Sequence, residues 1–182
     1  DNGNDTNSGT FEYSGTGNIF DFGATDYFDL AMNGAGTRTQ TTAVEVAGDF
    51  AITAGTYNAA GFALTVTGGW TNDDTFTHGN NTVTFNGTSG TINIDTGGTT
   101  AVYRFYDVVF DDGGGNATYQ LINFGLYAEN DIAITDGTFD ANGQPITLLG
   151  SWTNDSTFIH GDNTVTFDGT GTDTVNPGGS SF

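Results

Sequence analysis

Cysteine and lysine are both absent from this 182-residue sequence, and proline occurs only twice. Without cysteine there is neither a disulfide framework nor a thiolate metal site. Without lysine no intramolecular Lys-to-Asn isopeptide cross-link can form. Basic side chains are reduced to Arg38 and Arg104 against 22 acidic ones, for a formal net charge of −20. That balance excludes nucleic acid as a partner, because affinity there comes from neutralising phosphates with Lys and Arg. Anionic membrane surfaces are disfavoured on the same ground. No apolar run approaches the roughly 18 residues that span a bilayer, so membrane insertion is not expected. Hydrophobic residues make up 35% of the chain, little for a compact globule of this length, and a thin elongated core suits it better. No segment spaces apolar residues at three and four, so no helix is predicted. The sequence opens at Asp1 without Met or a charged-then-apolar leader, and the expectation is a processed mature chain or a fragment, consistent with secretion.

Glycine is plentiful at 29 residues, and the apolar positions are largely Phe, Tyr, Val and Ile set among many Thr, a mixture that favours strands joined by tight turns. The dominant feature is an internal repeat. WTNDDTFTHGNNTVTFNGT at 70–88 returns 82 residues later as WTNDSTFIHGDNTVTFDGT at 152–170, identical at 15 of 19 positions. The match runs upstream without a gap, pairing Asp49 with Asp131, Ile52 with Ile134, Gly55 with Gly137, Tyr57 with Phe139 and Gly61 with Gly143. TFEYSGT at 10–16 is a worn copy of TVTFNGT at 82–88, with Phe11 in the place of Val83 and Tyr13 in that of Phe85. YFDLAMNG at 27–34 echoes FYDVVFDDG at 105–113. The predicted organisation is one elongated repeat domain: a divergent partial repeat at 1–48, a repeat at 49–130 and a truncated repeat at 131–182. Residues 1–9 read as a loose start, and 111–120, DDGGGNATYQ, as the clearest loop.

Apolar residues also recur at about twenty: Phe85 to Phe105, Ile132 to Trp152, Phe139 to Phe158, Ile146 to Val165. That interval fits the coils of a parallel β-helix, each stacked about 4.8 Å from the last, with four coils to one 82-residue repeat. Tandem antiparallel β-sandwiches are the alternative. The helix is preferred because sandwiches have less reason to share an uninterrupted register while beginning and ending in mid-unit.

The element W-T-N-x-x-T-F-x-x-G-x-x-T-V-T-F-x-G-T, followed by a Gly-rich turn and Phe105-Tyr106-Asp107-Val108-Val109, resembles repetitive bacterial secreted and cell-surface proteins of the adhesin-like, filamentous-haemagglutinin type. The resemblance spans most of 49–182 and implies a β-solenoid exported to the cell surface. It brings no catalytic motif.

Candidate sites follow from residue types. His78 and His160 occupy equivalent turns, and four coils would put them roughly 19 Å apart, too far to share an ion. Each is expected to be a solvated turn residue. Acidic pairs Asp73-Asp74 and Asp111-Asp112, with Asp162, offer the oxygen ligands calcium prefers, but no EF-hand loop or G-G-x-G-x-D repeat accompanies them, so no cofactor is expected beyond possible calcium. Trp70, Phe76, Phe85 and their copies Trp152, Phe158, Phe167 would serve either as a sugar-stacking strip or, more simply, as core layers. Sequons stand at Asn4, Asn80, Asn86, Asn116 and Asn154.

A polysaccharide-cleaving β-helix would need identifiable paired carboxylates with a basic partner, and none is marked when nearly every turn carries an acid. The expected function is therefore non-enzymatic: a fibre segment, spacer or adhesive stalk, extracellular or at the cell surface, whose partners are copies of itself, with a carbohydrate-binding adhesin module that takes glycans as the alternative. Open solenoid edges join other edges unless capped. Phe11 and Tyr13 at one end and Val175 and Phe182 at the other are the expected assembly residues for a head-to-tail homopolymer.

Overall fold

The computed structural model describes residues 8–23 and 25–182, and among them the regular elements are β-strands apart from one 3-10 turn at Ala101–Tyr103. Every strand pairing among the described residues is parallel. The chain is a β-solenoid of about eight coils. A sandwich needs antiparallel neighbours, so that alternative falls. Most strands have only three or four residues, in which Thr alternates with Val, Ile, Leu or an aromatic residue. One such strand hides one or two apolar side chains. Stacking the coils turns those side chains into continuous columns such as Phe50, Trp70 and Ile94, all 1% exposed or less.

Each coil has three faces. The first is the ten-stranded sheet, which includes Thr10–Tyr13, Asp29–Thr39, Phe50–Asn58, Trp70–Asn72, Ser89–Asp95, Asn116–Leu121, Thr138–Asp140 and Thr157–Ile159. The second holds Gly17–Asn18, the far halves of Asp29–Thr39 and Phe50–Asn58, and Thr75–Thr77, and resumes as the three-stranded sheet of Leu126–Ala128, Ile146–Leu148 and Val165–Phe167. Phe105, bridged to Ala128, joins its two parts. The third is the seven-stranded sheet of Val44–Val46, Leu64–Val66, Thr82–Phe85, Asp107–Phe110, Ile132–Ile134, Trp152–Asn154 and Val175–Asn176.

The repeat does not close on whole coils. Trp70 stands on the first face of the coil whose third face is Thr82–Phe85; Trp152 stands on the third face, three pairings further on through Asp107–Phe110 and Ile132–Ile134. The repeat therefore covers three coils and two of the three faces of a fourth, not four coils. Its copies step round the solenoid: Phe76 on the second face becomes Phe158 on the first, and Leu64 on the third becomes Ile146 on the second. The three Thr-containing strands Thr10–Tyr13, Thr82–Phe85 and Val165–Phe167 take the first, third and second faces in turn. His78 and His160 accordingly sit after strands of different faces and not above one another along one edge.

The interval of twenty holds in the later coils, where Ile132 pairs with Trp152, Phe139 with Phe158 and Ile146 with Val165. It fails for Phe85, whose partner is Phe110 and not Phe105, because the coil between them is lengthened by the loop at 96–104 with its 3-10 turn. The predicted loop at 111–120 is also shorter than expected. Asn116–Leu121 is a strand that points Ala117, Tyr119 and Leu121 into the core, leaving 111–115 as the turn.

Candidate functional site

The acidic residues are the first candidates, and most of those singled out are consumed by the backbone. Asp112 is fully buried; Oδ1 accepts the N–H groups of Gly114 at 3.1 Å and Gly115 at 3.0 Å, and Oδ2 accepts that of Ala117 at 2.9 Å. Asp111 accepts from Gly113 N–H at 3.1 Å, and Asp74 from Gly55 N–H at 2.7 Å and the Thr75 hydroxyl at 3.0 Å. Asp73 is exposed. Among the described residues no three His, Cys, Asp or Glu side chains converge as a metal ion requires. A second set marks the corners: Asp29 Oδ1 accepts Asp49 N–H at 2.8 Å, Asp49 Oδ1 accepts Gly69 N–H at 2.6 Å, Asp107 Oδ1 accepts Asp131 N–H at 3.1 Å and Asp131 Oδ1 accepts Ser151 N–H at 2.7 Å. Each carboxylate ties its corner to the next coil where the ladder is interrupted, a charge-assisted bond stronger than a neutral one.

Trp70 and Trp152 are 1% and 0% exposed, so they are core and present no face to a sugar. Of the sequons, Asn154 is buried with its amide donating to Pro177 O at 2.9 Å, Asn86 is half-buried and accepts from the Thr67 hydroxyl, and Asn80 and Asn116 are exposed. Asn4 lies outside the described residues, as do residues 1–7 of the expected loose start.

One polar cluster had no signal in the sequence. Glu129 receives both His78, Nε2 to Oε2 at 3.3 Å, and Arg104, Nη1 to Oε1 at 3.0 Å. The guanidinium lies 4.0 Å over the Tyr127 ring, and the imidazole stacks on Tyr106 with centroids 5.6 Å apart. His78 Nδ1 accepts Asn80 N–H at 3.0 Å, so neutral His78 carries its proton on Nε2, facing Glu129. His160 repeats the local bond, Nδ1 accepting Asp162 N–H at 2.9 Å, and among the described residues has no carboxylate partner of this kind. The cluster pins the lengthened coil at 96–104 to its neighbours. Its carboxylate is engaged by both side chains.

The end layers have the most distinctive geometry. At the N-terminal end, Tyr13 lies against Phe11 and Phe20, and Tyr27 against Phe11 and Phe22. The hydroxyls of Tyr13 and Tyr27 are 2.8 Å apart, Tyr27 donates to Phe20 O at 2.6 Å, and Phe20 N–H donates to the Tyr13 hydroxyl at 3.1 Å. Arg38 lies 4.4 Å over the Tyr13 ring. Burial pushes the Tyr27 hydroxyl far above the usual tyrosine range, with Tyr13 adding to the effect. Asp26 beneath is pushed up by burial against the pull of the Glu45 and Phe22 N–H groups.

The C-terminal end is closed by one ring. Phe182 packs 5.3 Å from Trp152, 6.0 Å from Phe158 and 5.7 Å from Phe167. Phe105 holds the same relation to the earlier copy, at 5.0 Å from Trp70, 5.8 Å from Phe76 and 6.3 Å from Phe85. Yet Phe182 remains 45% exposed, as does Val175, and Phe167 is 41% exposed. Of the expected assembly residues, Tyr13 is therefore enclosed, Phe11 half-buried, and Val175 and Phe182 open to solvent. Compared with models of protein families, with curated proteins and with solved structures, the chain matches none.

Proposed function

We propose that this chain is a non-enzymatic structural module, a rod segment of an extracellular filament or adhesive fibre at a microbial surface, and that copies join head to tail through the end layers of the solenoid. The observation that carries this reading is the partly exposed apolar layer at the C-terminal end, where Phe167, Val175 and Phe182 stand above a core whose every other layer is stacked on by the next coil. Edge strands there carry unpaired backbone groups, and parallel addition of another edge satisfies them. A contact between unlike ends repeats indefinitely unless its rotation closes a ring. The net charge of −20 opposes such joining and keeps single copies soluble, so assembly should strengthen as salt or calcium screens the repulsion. In this reading calcium acts through the charged surface as a whole and not through a dedicated site.

Electron microscopy across a range of protein and salt concentrations, with calcium and with chelator, tests it. Regular filaments, with an axial repeat commensurate with one chain, are the expected result. Discrete rods of one chain's length under every condition would overturn the self-assembly reading.

A further inference from the structure

The strand at the N-terminal edge and the strand at the C-terminal end are copies of one element, and the structure shows a third copy seated between coils. Thr82–Phe85 lies on Asp107–Phe110 in the register Thr82 to Asp107, Val83 to Val108, Thr84 to Val109 and Phe85 to Phe110. Thr10–Tyr13 lies on the strand beginning at Asp29 in the same register, Thr10 to Asp29, Phe11 to Leu30, Glu12 to Ala31 and Tyr13 to Met32. The same side-chain bond marks both, Thr10 Oγ1 to Asp29 Oδ2 at 3.3 Å and Thr82 Oγ1 to Asp107 Oδ2 at 3.5 Å. Both seats continue alike: Tyr27 bridges to Val46 as Phe105 bridges to Ala128, and Asp29 binds the next corner as Asp107 does.

The aromatic corner over each element also recurs. Tyr13 and Tyr27 are 6.3 Å apart at 71°, Phe85 and Phe105 are 6.3 Å apart at 74°, and Phe167 and Phe182 are 5.7 Å apart at 86°. The third copy differs in one respect. Val165–Phe167 pairs with Ile146–Leu148 on one side, and among the described residues nothing pairs with it on the other. Among the described residues the seat that an Asp-led strand takes on the element in the first two copies is open on the third.

We propose that this open seat receives the Asp-led strand of a second copy of the chain, through segment exchange. Residues 164–182 of one copy take the seat that 10–18 and Tyr27 hold in the next, with Thr164 opposite Asp29, Val165 opposite Leu30, Thr166 opposite Ala31 and Phe167 opposite Met32. Phe182 takes the place of the Tyr27 ring. The inference rests on the head-to-tail reading and specifies its joint. It also specifies the step, because each internal copy lies three coils and two faces from the last, and the joint continues that screw. The displaced segment gives up the bond from the Thr10 hydroxyl to Asp29, that from Ile19 N–H to Thr39 O and the bridge from Tyr27 to Val46, so its release precedes joining. Val165 and Phe167 gain the enclosure that Val83 and Phe85 have in mid-stack, where both are 0% exposed.

The absence of native cysteine makes a direct test available. Parallel neighbours stand about 4.8 Å apart, within the span of a disulfide. Ala31→Cys and Thr166→Cys chains, mixed and oxidised under filament-forming conditions, should give a disulfide-linked dimer joining the two variants. In a separate chain, Glu12→Cys with Ala31→Cys ties the resident strand into its own seat. Oxidised, that chain should form no filaments, and reduction should restore them. Filaments without the 31–166 cross-link, or equal assembly of the oxidised and reduced locked chain, would overturn the exchange and leave the head-to-tail reading standing. If the unsubstituted protein forms no filaments under any condition, both fall together.

Discussion

One nineteen-residue element occurs twice with 15 positions identical, at 70–88 in mid-stack and at 152–170 in the last layers, so the molecule contains its own control for what a local sequence determines and what its neighbours determine. Local geometry travels with the sequence. Trp70 meets Phe76 edge-on at 5.1 Å and Trp152 meets Phe158 at 4.9 Å, and both turns close on a histidine Nδ1. Both tryptophans leave the indole N–H without a partner. Even the glycine requirement recurs: a Cβ on Gly97 would lie 1.8 Å from Asn72 O, and one on Gly178 would lie 1.9 Å from Asn154 O. Burial does not travel. Phe85 is 0% exposed and its copy Phe167 is 41% exposed, because only the first has a coil above it. The element thus fixes its own shape, while its contribution to stability is set by the layer that covers it.

The contrast is sharpest at those two phenylalanines. Phe85→Ala removes a ring from a closed core and should cost about 3–5 kcal/mol, whereas Phe167→Ala should cost under about 1 kcal/mol in the isolated chain, measured by urea unfolding. Filament formation should raise the cost at Phe167 towards that at Phe85. Gly97→Ala comes next, at about 3 kcal/mol, because both the positive φ of +79° and the carbonyl of Asn72 oppose a side chain. Gly178→Ala meets the same carbonyl geometry in a layer free to shift, and should cost less than half as much. Equal losses at both glycines would show that the end layer is as rigid as the middle.

High pH sharpens the comparison differently, since the buried tyrosines mark the N-terminal and middle layers. Tyr57, which donates to Gln40 Oε1 at 2.9 Å, and Tyr119, which donates to Gly87 O at 2.9 Å, are both pushed above the ordinary tyrosine range, chiefly by burial. A raised folded-state pKa means that the native state holds its proton more tightly than the unfolded chain. The stability is therefore intact below about pH 10 and is lost as pH rises beyond it. Tyrosinate absorbance and loss of the strand signal should appear together above that value. Tyr57→Phe and Tyr119→Phe should delay both. The smallest effect belongs to the corner carboxylates. Asp49→Asn and Asp131→Asn each keep an acceptor for the next coil's N–H and lose the charge, so each should cost about 1 kcal/mol or less by the same denaturation measurement.

Much of this architecture is visible in the sequence. Inward and outward positions follow from alternation in stretches such as TVTF, and the twenty-residue interval at Ile132 and Trp152 gives the pairing directly. The likeness of TFEY to TVTF and of YFDL to FYDV identifies elements that occupy equivalent seats. Face identity does not show, because all three faces are short parallel strands with the same alternation and nothing in TVTF ties it to one of them. The step between copies comes from coil length, which the repeated residues do not fix: it is the same over the 72 residues from Thr10 to Thr82 and over the 82 from Thr82 to Thr164, the second interval carrying the loop at 96–104. Phe182 does not align with Phe105 by position because the residues corresponding to Ala101–Tyr103 and Arg104 are absent before it. The meeting of His78, Arg104 and Glu129 depends on that same loop. His160 occupies an equivalent turn and, among the described residues, has no carboxylate partner of that kind.

The stepping of the repeat by two faces after three coils is the central claim, and the register between Thr82–Phe85 and Asp107–Phe110 tests it most directly. Thr84 and Val109 are outward neighbours in that register, whereas whole-coil closure at the twenty-residue interval would set Thr84 beside Arg104. The double variant Thr84→Cys with Val109→Cys should oxidise to an intramolecular disulfide in the folded monomer, while Thr84→Cys with Arg104→Cys should not. Ready closure of the second pair and not the first would contradict the account.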